Sequence, residues 1–203
     1  GLENIKHIGG LGIFSMVNLE NLNGLSHLVS LGSLTLQYND KLTSLDGLSG
    51  VTTSTLGALT VEGNDSLSSL RTLSNLKTVN SFIIIRGNSV LADIGLQNLQ
   101  TVGGSFSIEN NHKLISLSDL SRLETVAGDL KVDGNVSLQG FGSNGLTSLK
   151  TVDGQLSFTS TALKTIDNLD KLTRVGYWIF IFNNANLESI NSLRPDLSTQ
   201  GLS

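Results

Sequence analysis

The stretch Leu96-Gln97-Asn98-Leu99-Gln100-Thr101-Val102-Gly103-Gly104-Ser105-Phe106-Ser107-Ile108-Glu109-Asn110-Asn111-His112-Lys113-Leu114-Ile115-Ser116-Leu117 carries two different periodicities. In Phe106-Ser107-Ile108 apolar and polar residues alternate, which marks a short strand with one face turned inward. On either side an apolar residue falls at every third position: Leu96, Leu99 and Val102 before it, Leu114, Leu117 and Leu120 after it. That spacing fits neither an α-helical face nor a long strand. It fits short extended or 3₁₀ segments joined by bends, each turning one side chain inward. Gly103-Gly104 marks a tight turn just ahead of the strand.

The phrase then repeats along the chain. It returns as Leu120, Leu123, Val126, Gly128, Leu130, Val132, Asn135 and Leu138, and earlier as Leu25, Leu28, Leu31, Gly32, Leu34, Leu36, Asn39, Leu42 and Leu45. A last full copy runs Leu169, Leu172, Val175, Gly176, Ile179, Ile181, Asn184, Leu187 and Ile190. Repeats start near Leu2, Leu25, Leu48, Leu73, Leu96, Leu120, Leu146 and Leu169, at intervals of 23 to 26 residues. A partial ninth begins at Leu193. No linker or shift in composition interrupts them, so residues 1–203 read as one repeat domain. One coil cannot cover its own leucines, and stacked neighbours must do so. The expected fold is a β-rich, right-handed solenoid of about eight coils with a parallel sheet and little α-helix. At ~4.8 Å per coil it forms a rod roughly 40 Å long.

Three residues beyond each strand stands a nearly constant polar position: Asn39, Asn64, Asn88, Asn111, Asn135 and Asn184, with Met16 and Thr161 in its place in the first and seventh coils. A side-chain amide both donates and accepts, so this column is expected to be an internal ladder that satisfies backbone groups at a corner.

The phrase L-x-x-L-x-x-V-G-G-x-φ-x-φ-x-x-N-x-x-L-x-S-L, clearest from Leu96 to Leu117, resembles receptor L domains. These are the ligand-binding solenoids of insulin- and EGF-receptor ectodomains, with relatives among GPI-anchored fungal wall proteins. The likeness extends through all eight copies. It implies a leucine-rich-repeat β-helix in an extracellular or cell-surface setting. Unlike the animal receptors, this chain has no cysteine and no kinase portion, which directs the comparison toward surface, wall or filament proteins.

Composition narrows the function classes. Charged residues are 15% of the chain and the net charge is −4. Nucleic acid and anionic membranes call for clustered Lys and Arg, which are not found here. With no cysteine there is no disulfide framework, thiolate metal site or cysteine nucleophile. No apolar run approaches the roughly 18 residues of a membrane span.

Catalytic motifs are sparse. His7, His27 and His112 fall in different coils or phases without metal-ligand spacing and read as surface turn residues. Gly9-Gly10-Leu11-Gly12 lacks the Lys-Ser/Thr of a phosphate loop and matches the turn of the repeat. Sequons at Asn64 and Asn135 both fall on the internal column, which argues against a glycan at either. The one carboxylate group of interest is Glu62, Glu109 and Asp133, with Arg86 between and Lys131 beside. Glu109 and Asp133 occupy equivalent positions of adjacent coils, a spacing suited to a shared proton, a cation or sugar hydrolysis. The basic neighbours favour a salt-bridged surface instead. No metal, cofactor or catalytic residue is assigned.

The outward strand positions run Gly12, Thr35, Thr60, Ile84, Ser107, Lys131, Ser157 and Phe180. Most are small or polar, as a solvated sheet face requires. In Tyr177-Trp178-Ile179-Phe180-Ile181-Phe182 the isoleucines point inward, so Trp178, Phe180 and Phe182 are expected outside. Phe82 and Ile84 add a smaller patch. Either a neighbouring segment covers these rings or they form a contact site. Gly1-Leu2 and the stretch through Leu193, Leu197 and Gly201-Leu202 match the middle of repeats without polar caps. The expectation is a slice of a longer protein or an end-to-end or lateral assembly. The functional reading is therefore a non-catalytic extracellular interaction or structural module whose partner is protein, this chain or another, or glycan. The alternatives are a ligand- or glycan-binding receptor or adhesin domain and, further off, a polysaccharide-active enzyme.

Overall fold

Alternation, three-residue spacing and corner glycines together build a parallel β-solenoid. The computed structural model describes residues 2–192 and the backbone of Ser198–Thr199. Its principal sheet has eight parallel strands in strict coil order: Leu11–Phe14, Leu34–Gln37, Leu59–Glu62, Ile83–Arg86, Phe106–Glu109, Leu130–Asp133, Leu156–Thr159 and Ile179–Phe182. Each is in register with its neighbours, so Phe106 lies beside Ile83 and Leu130, and Ile108 beside Ile85 and Val132. Seven inter-strand steps of ~4.8 Å give this sheet a width of roughly 34 Å.

A second sheet was read in the sequence only as extended segments. It is made of two-residue strands, Thr55–Leu56, Thr78–Val79, Thr101–Val102, Thr125–Val126, Thr151–Val152, Arg174–Val175 and Ser198–Thr199. His7–Ile8 and Ser30–Leu31 form a separate parallel pair. At this corner Leu31 N–H bonds the Thr53 hydroxyl at 3.3 Å. The third side of the coil holds 3₁₀ turns at Asn23–Leu25, Asp46–Leu48, Arg71–Leu73 and Ser118–Leu120. Most of the partial ninth coil expected from Leu193 lies outside the described residues; Ser198–Thr199 extends the second sheet beside Arg174–Val175.

Inward positions form one continuous core. Leu34, Leu36, Leu59, Val61, Ile83, Ile85, Phe106, Ile108, Leu130 and Val132 are fully buried, as are the corner residues Leu42, Leu67, Leu91, Leu114 and Leu138. Where the coil between Leu130 and Leu156 is longest, Phe141 fills the added space against Phe158, with ring centroids 5.0 Å apart. The corner at Gly103 runs so close to the previous coil that a Cβ there would collide with the Asn80 carbonyl.

Every long strand ends in a left-handed residue. Ser15, Tyr38, Gly63, Gly87, Asn110, Gly134, Ser160 and Asn183 all have φ between 52° and 65°. This conformation breaks the strand at the corner, and in six of the eight coils the next residue is the asparagine of the column, with Met16 and Thr161 in the other two. Glycine takes it without strain, and Asn takes it more readily than most residues.

The asparagine column is the expected ladder, with a direction. Asn39, Asn64, Asn88, Asn111 and Asn135 are completely buried. The backbone N–H groups of Asn39, Asn64, Asn88 and Asn111 donate to the Oδ1 of the next coil's asparagine at 3.0–3.3 Å. Each Nδ2 donates back to a strand carbonyl of the previous coil, at Ile13, Leu36, Val61, Ile85, Ile108 and Phe158, at 2.7–3.1 Å. Met16 enters the ladder through its backbone, donating to Asn39 Oδ1 at 3.1 Å. Thr161 donates both N–H and hydroxyl to Asn184 Oδ1, at 3.0 and 2.6 Å. Its single hydroxyl proton is thereby used, and no second arm reaches back to Val132.

Two stability outcomes follow from this geometry. Asn111→Leu orphans the Asn88 N–H inside the stack and strips the Ile85 carbonyl of one of its two donors, and should lower stability by about 1–3 kcal/mol. A urea midpoint equal to wild type would show that the ladder is dispensable. Thr161→Asn restores the missing arm and should stabilise by about 0.5–1.5 kcal/mol, read as a higher Tm; a lower Tm would show that the seventh coil has no room for the amide.

Candidate functional site

The outer face of the eight-stranded sheet presents side chains in rows, because alternate residues of every strand point away from the core. The middle row follows the pairing Gly12, Thr35, Thr60, Ile84, Ser107, Lys131, Ser157, Phe180. The next row, two residues on, is Phe14, Gln37, Glu62, Arg86, Glu109, Asp133, Thr159, Phe182. Charge occupies the centre of this second row and aromatic rings its two ends.

Glu109 and Asp133 are register partners, as their repeat positions require. They do not act as an isolated pair. Arg86 grips Glu62 through Nε and Nη2, at 3.1 and 2.7 Å, and its Nη1 lies 4.0 Å from Glu109. The Thr159 hydroxyl donates to Asp133 at 2.6 Å. Lys131 turns away from both carboxylates and pairs with Asp129 at 3.3 Å. Among the described residues, no three His, Asp or Glu side chains converge as metal ligands.

Glu62 is the most enclosed of these carboxylates, only 9% exposed. Burial by itself would raise its pKa. Hydrogen bonds from Arg86, Gln37 and Tyr38 outweigh that and hold it below the ordinary Glu value. Tyr38 donates its phenol to Glu62 at 3.0 Å, and its own pKa is raised by that bond and by the negative charge it faces. Because the folded pKa is depressed, Glu62 adds stability that is complete above the unfolded value near ~4.3. That contribution declines as pH falls from there through the folded pKa. Glu62→Gln should therefore flatten the dependence of Tm on pH below about 4.5. Parallel pH profiles for the two proteins would remove Glu62 from the acid response.

The aromatic positions lie where alternation places them. Trp178, Phe180 and Phe182 are 58%, 44% and 70% exposed, while Ile179 and Ile181 pack against the core. The Trp178 and Phe180 rings are in contact, with centroids 6.3 Å apart and planes inclined by 44°. Phe82 is also exposed and Ile84 half-buried. They lie four strands away, about 19 Å, across Ser107, Lys131 and Ser157. The two patches are separate.

Other surface features were not read in the sequence. Phe14 is exposed at the opposite end of the row, its ring folded over Gly12, where a Cβ would meet it at 2.5 Å. Tyr38, also exposed, lays its ring over Gly63 of the next coil. The signals were separate: Phe14 stands in the outward row that is charged in four of the eight coils, and Tyr38 in the left-handed position filled elsewhere by Ser, Gly or Asn. His7 belongs to a short strand rather than a turn, and its Nδ1 lies 2.8 Å from the Ser30 hydroxyl. This Ser–His contact is exposed, and no carboxylate is hydrogen-bonded to the ring among the described residues. The sequon asparagines Asn64 and Asn135 have their amide nitrogens committed inside the ladder, so the folded coil has no room for a glycan at either.

No protein-family profile matches this sequence, and no curated protein matches it significantly. No helix among the described residues is long and apolar enough to cross a membrane.

Proposed function

We propose that this chain is a non-catalytic interaction or structural module of an extracellular surface, wall or filament protein, akin to receptor L domains, and that it engages its partner through the outer face of the long sheet. The observation that carries this reading is the exposure of Trp178, Phe180 and Phe182 at positions where the fold needs no apolar group. Their register partners Ser157 and Thr159 show that a polar residue serves the coil equally well. Large aromatics exposed together on a regular face are typical anchors of binding surfaces. The resemblance of the repeat phrase to receptor L domains supports the setting. Hydrolysis has weaker support, since Glu109 and Asp133 are engaged by Arg86 and Thr159.

The test compares wild type with Phe180→Ser/Phe182→Ser. Self-association is read by sedimentation velocity, and retention on immobilised glycans and proteins by surface binding, with circular dichroism as the folding control. An association present in wild type and lost in the double variant, with unchanged spectra, supports the reading. Equal behaviour of both proteins in every format rejects this face as the contact site.

A further inference from the structure

We infer that the ligand of the Trp178–Phe182 face is a neutral, extended polysaccharide, lying on the aromatic rings and hydrogen-bonded by the adjacent strand. The inference rests on the contact-face reading above and names the class of partner. Three rings step along a single strand, on an open face rather than around a pit. A hexopyranose offers a flat patch of C–H groups to such a ring and a rim of hydroxyls to its surroundings. That rim would meet Gln155, Ser157 and Thr159 on the neighbouring strand, and Ser160 and Asn183 at the strand ends. All of these are neutral, Thr159 offering only its acceptor lone pair because its proton is given to Asp133, and Gln155, Ser157 and Thr159 are half-buried.

Charge decides between classes of partner. The outward positions of the last two strands, Leu156–Thr159 and Ile179–Phe182, carry no ionisable side chain. The nearest cation on this face, Lys131, is paired with Asp129, and the nearest unpaired carboxylate, Asp133, accepts a hydrogen bond from Thr159. On the second sheet, Arg174 lies 3.4 Å from Asp153. Among the described residues an anionic chain such as a polyuronate would find no unpaired cation at this end of the face, and the Asp133 carboxylate would repel it. Peptides that bind sheets by strand addition need a free edge. Ile179–Phe182 is the last strand of the sheet and pairs only with Leu156–Thr159 among the described strands, so strand addition would occupy that edge and not the outer face on which the rings lie. The rings project from the face, so their outward direction does not depend on what continues the stack.

Trp178 is the only tryptophan of the chain and therefore reports from within the site. The experiment titrates the protein with cellohexaose, laminarihexaose and chitohexaose, following Trp emission and its quenching by acrylamide. Hexagalacturonate is the anionic control. At least one neutral hexasaccharide should shift the emission to the blue and protect it saturably, and the uronate should not. Phe182→Ser should weaken that binding about tenfold or more, as loss of an anchor ring does. Phe182→Tyr keeps the ring and should keep the affinity. No response to any neutral sugar, or an equal response to the uronate, overturns the inference. If the sugars do nothing while Phe180→Ser/Phe182→Ser still abolishes self-association or protein binding, the contact face stands and the glycan assignment falls. If neither association is found, both fall.

Discussion

A coil of this solenoid cannot close without burying a corner whose backbone groups have no partner inside the coil. The asparagine resolves this by bonding in both directions along the stack: its amide accepts an N–H from the coil behind at Oδ1 and reaches a strand carbonyl of that same coil through Nδ2, while its own N–H donates to the amide of the coil ahead. Leaving such groups unpaired in the interior costs more than most single contacts contribute, so the ladder fixes which residue faces inward at each corner. The left-handed residue just before it is the geometric counterpart: it stops the strand and swings the amide into the core. Leucine burial supplies the driving force, and this corner supplies the register.

Because each coil contacts only the coils beside it, the inward positions are tightly constrained and the outward ones are not. The rows on the sheet face record that freedom. Their centre is a chain of charge, in which Glu62 collects Gln37, Tyr38 and Arg86, and Arg86 extends toward Glu109. This network resembles many solvated ladders and gives the middle of the face a local electrostatic order. The end of the face departs from it: three aromatic rings stand beside a strand of neutral hydrogen-bonding groups. The contrast between a charged centre and an exposed aromatic end is the ground on which one part of an otherwise repetitive surface is proposed as a contact region.

Much of this was legible because repetition makes a pattern visible eight times over. The inward isoleucines at 179 and 181 dictated that Trp178, Phe180 and Phe182 face out, and the equivalence of Glu109 and Asp133 followed from counting. Short-range features were harder to read. Thr-Val pairs such as Thr101–Val102 are too brief to show alternation, so the second sheet looked like a series of bends. The left-handed column is occupied by Gly, Asn, Ser and even Tyr38, and residue type alone does not reveal a shared φ. Lys131 appeared to serve the carboxylate pair, but a long side chain chooses among neighbours on both sides of its strand, and Asp129 was nearer.

By itself the sequence determined the period, the identity of the core and the column of buried amides, because these depend on the spacing of residues that every coil must repeat. It also determined which aromatic rings point outward, since a strand has only two faces. Only the tertiary structure decided what those rows do with one another: that Arg86 closes on Glu62, that Thr159 takes Asp133, that Tyr38 lies over Gly63, and that the Phe82 patch stands apart from the Trp178 patch. Those outcomes depend on distances of a few ångströms between coils more than twenty residues apart in the chain. The repeat brings such residues side by side, but only packed side chains settle which partner each one takes.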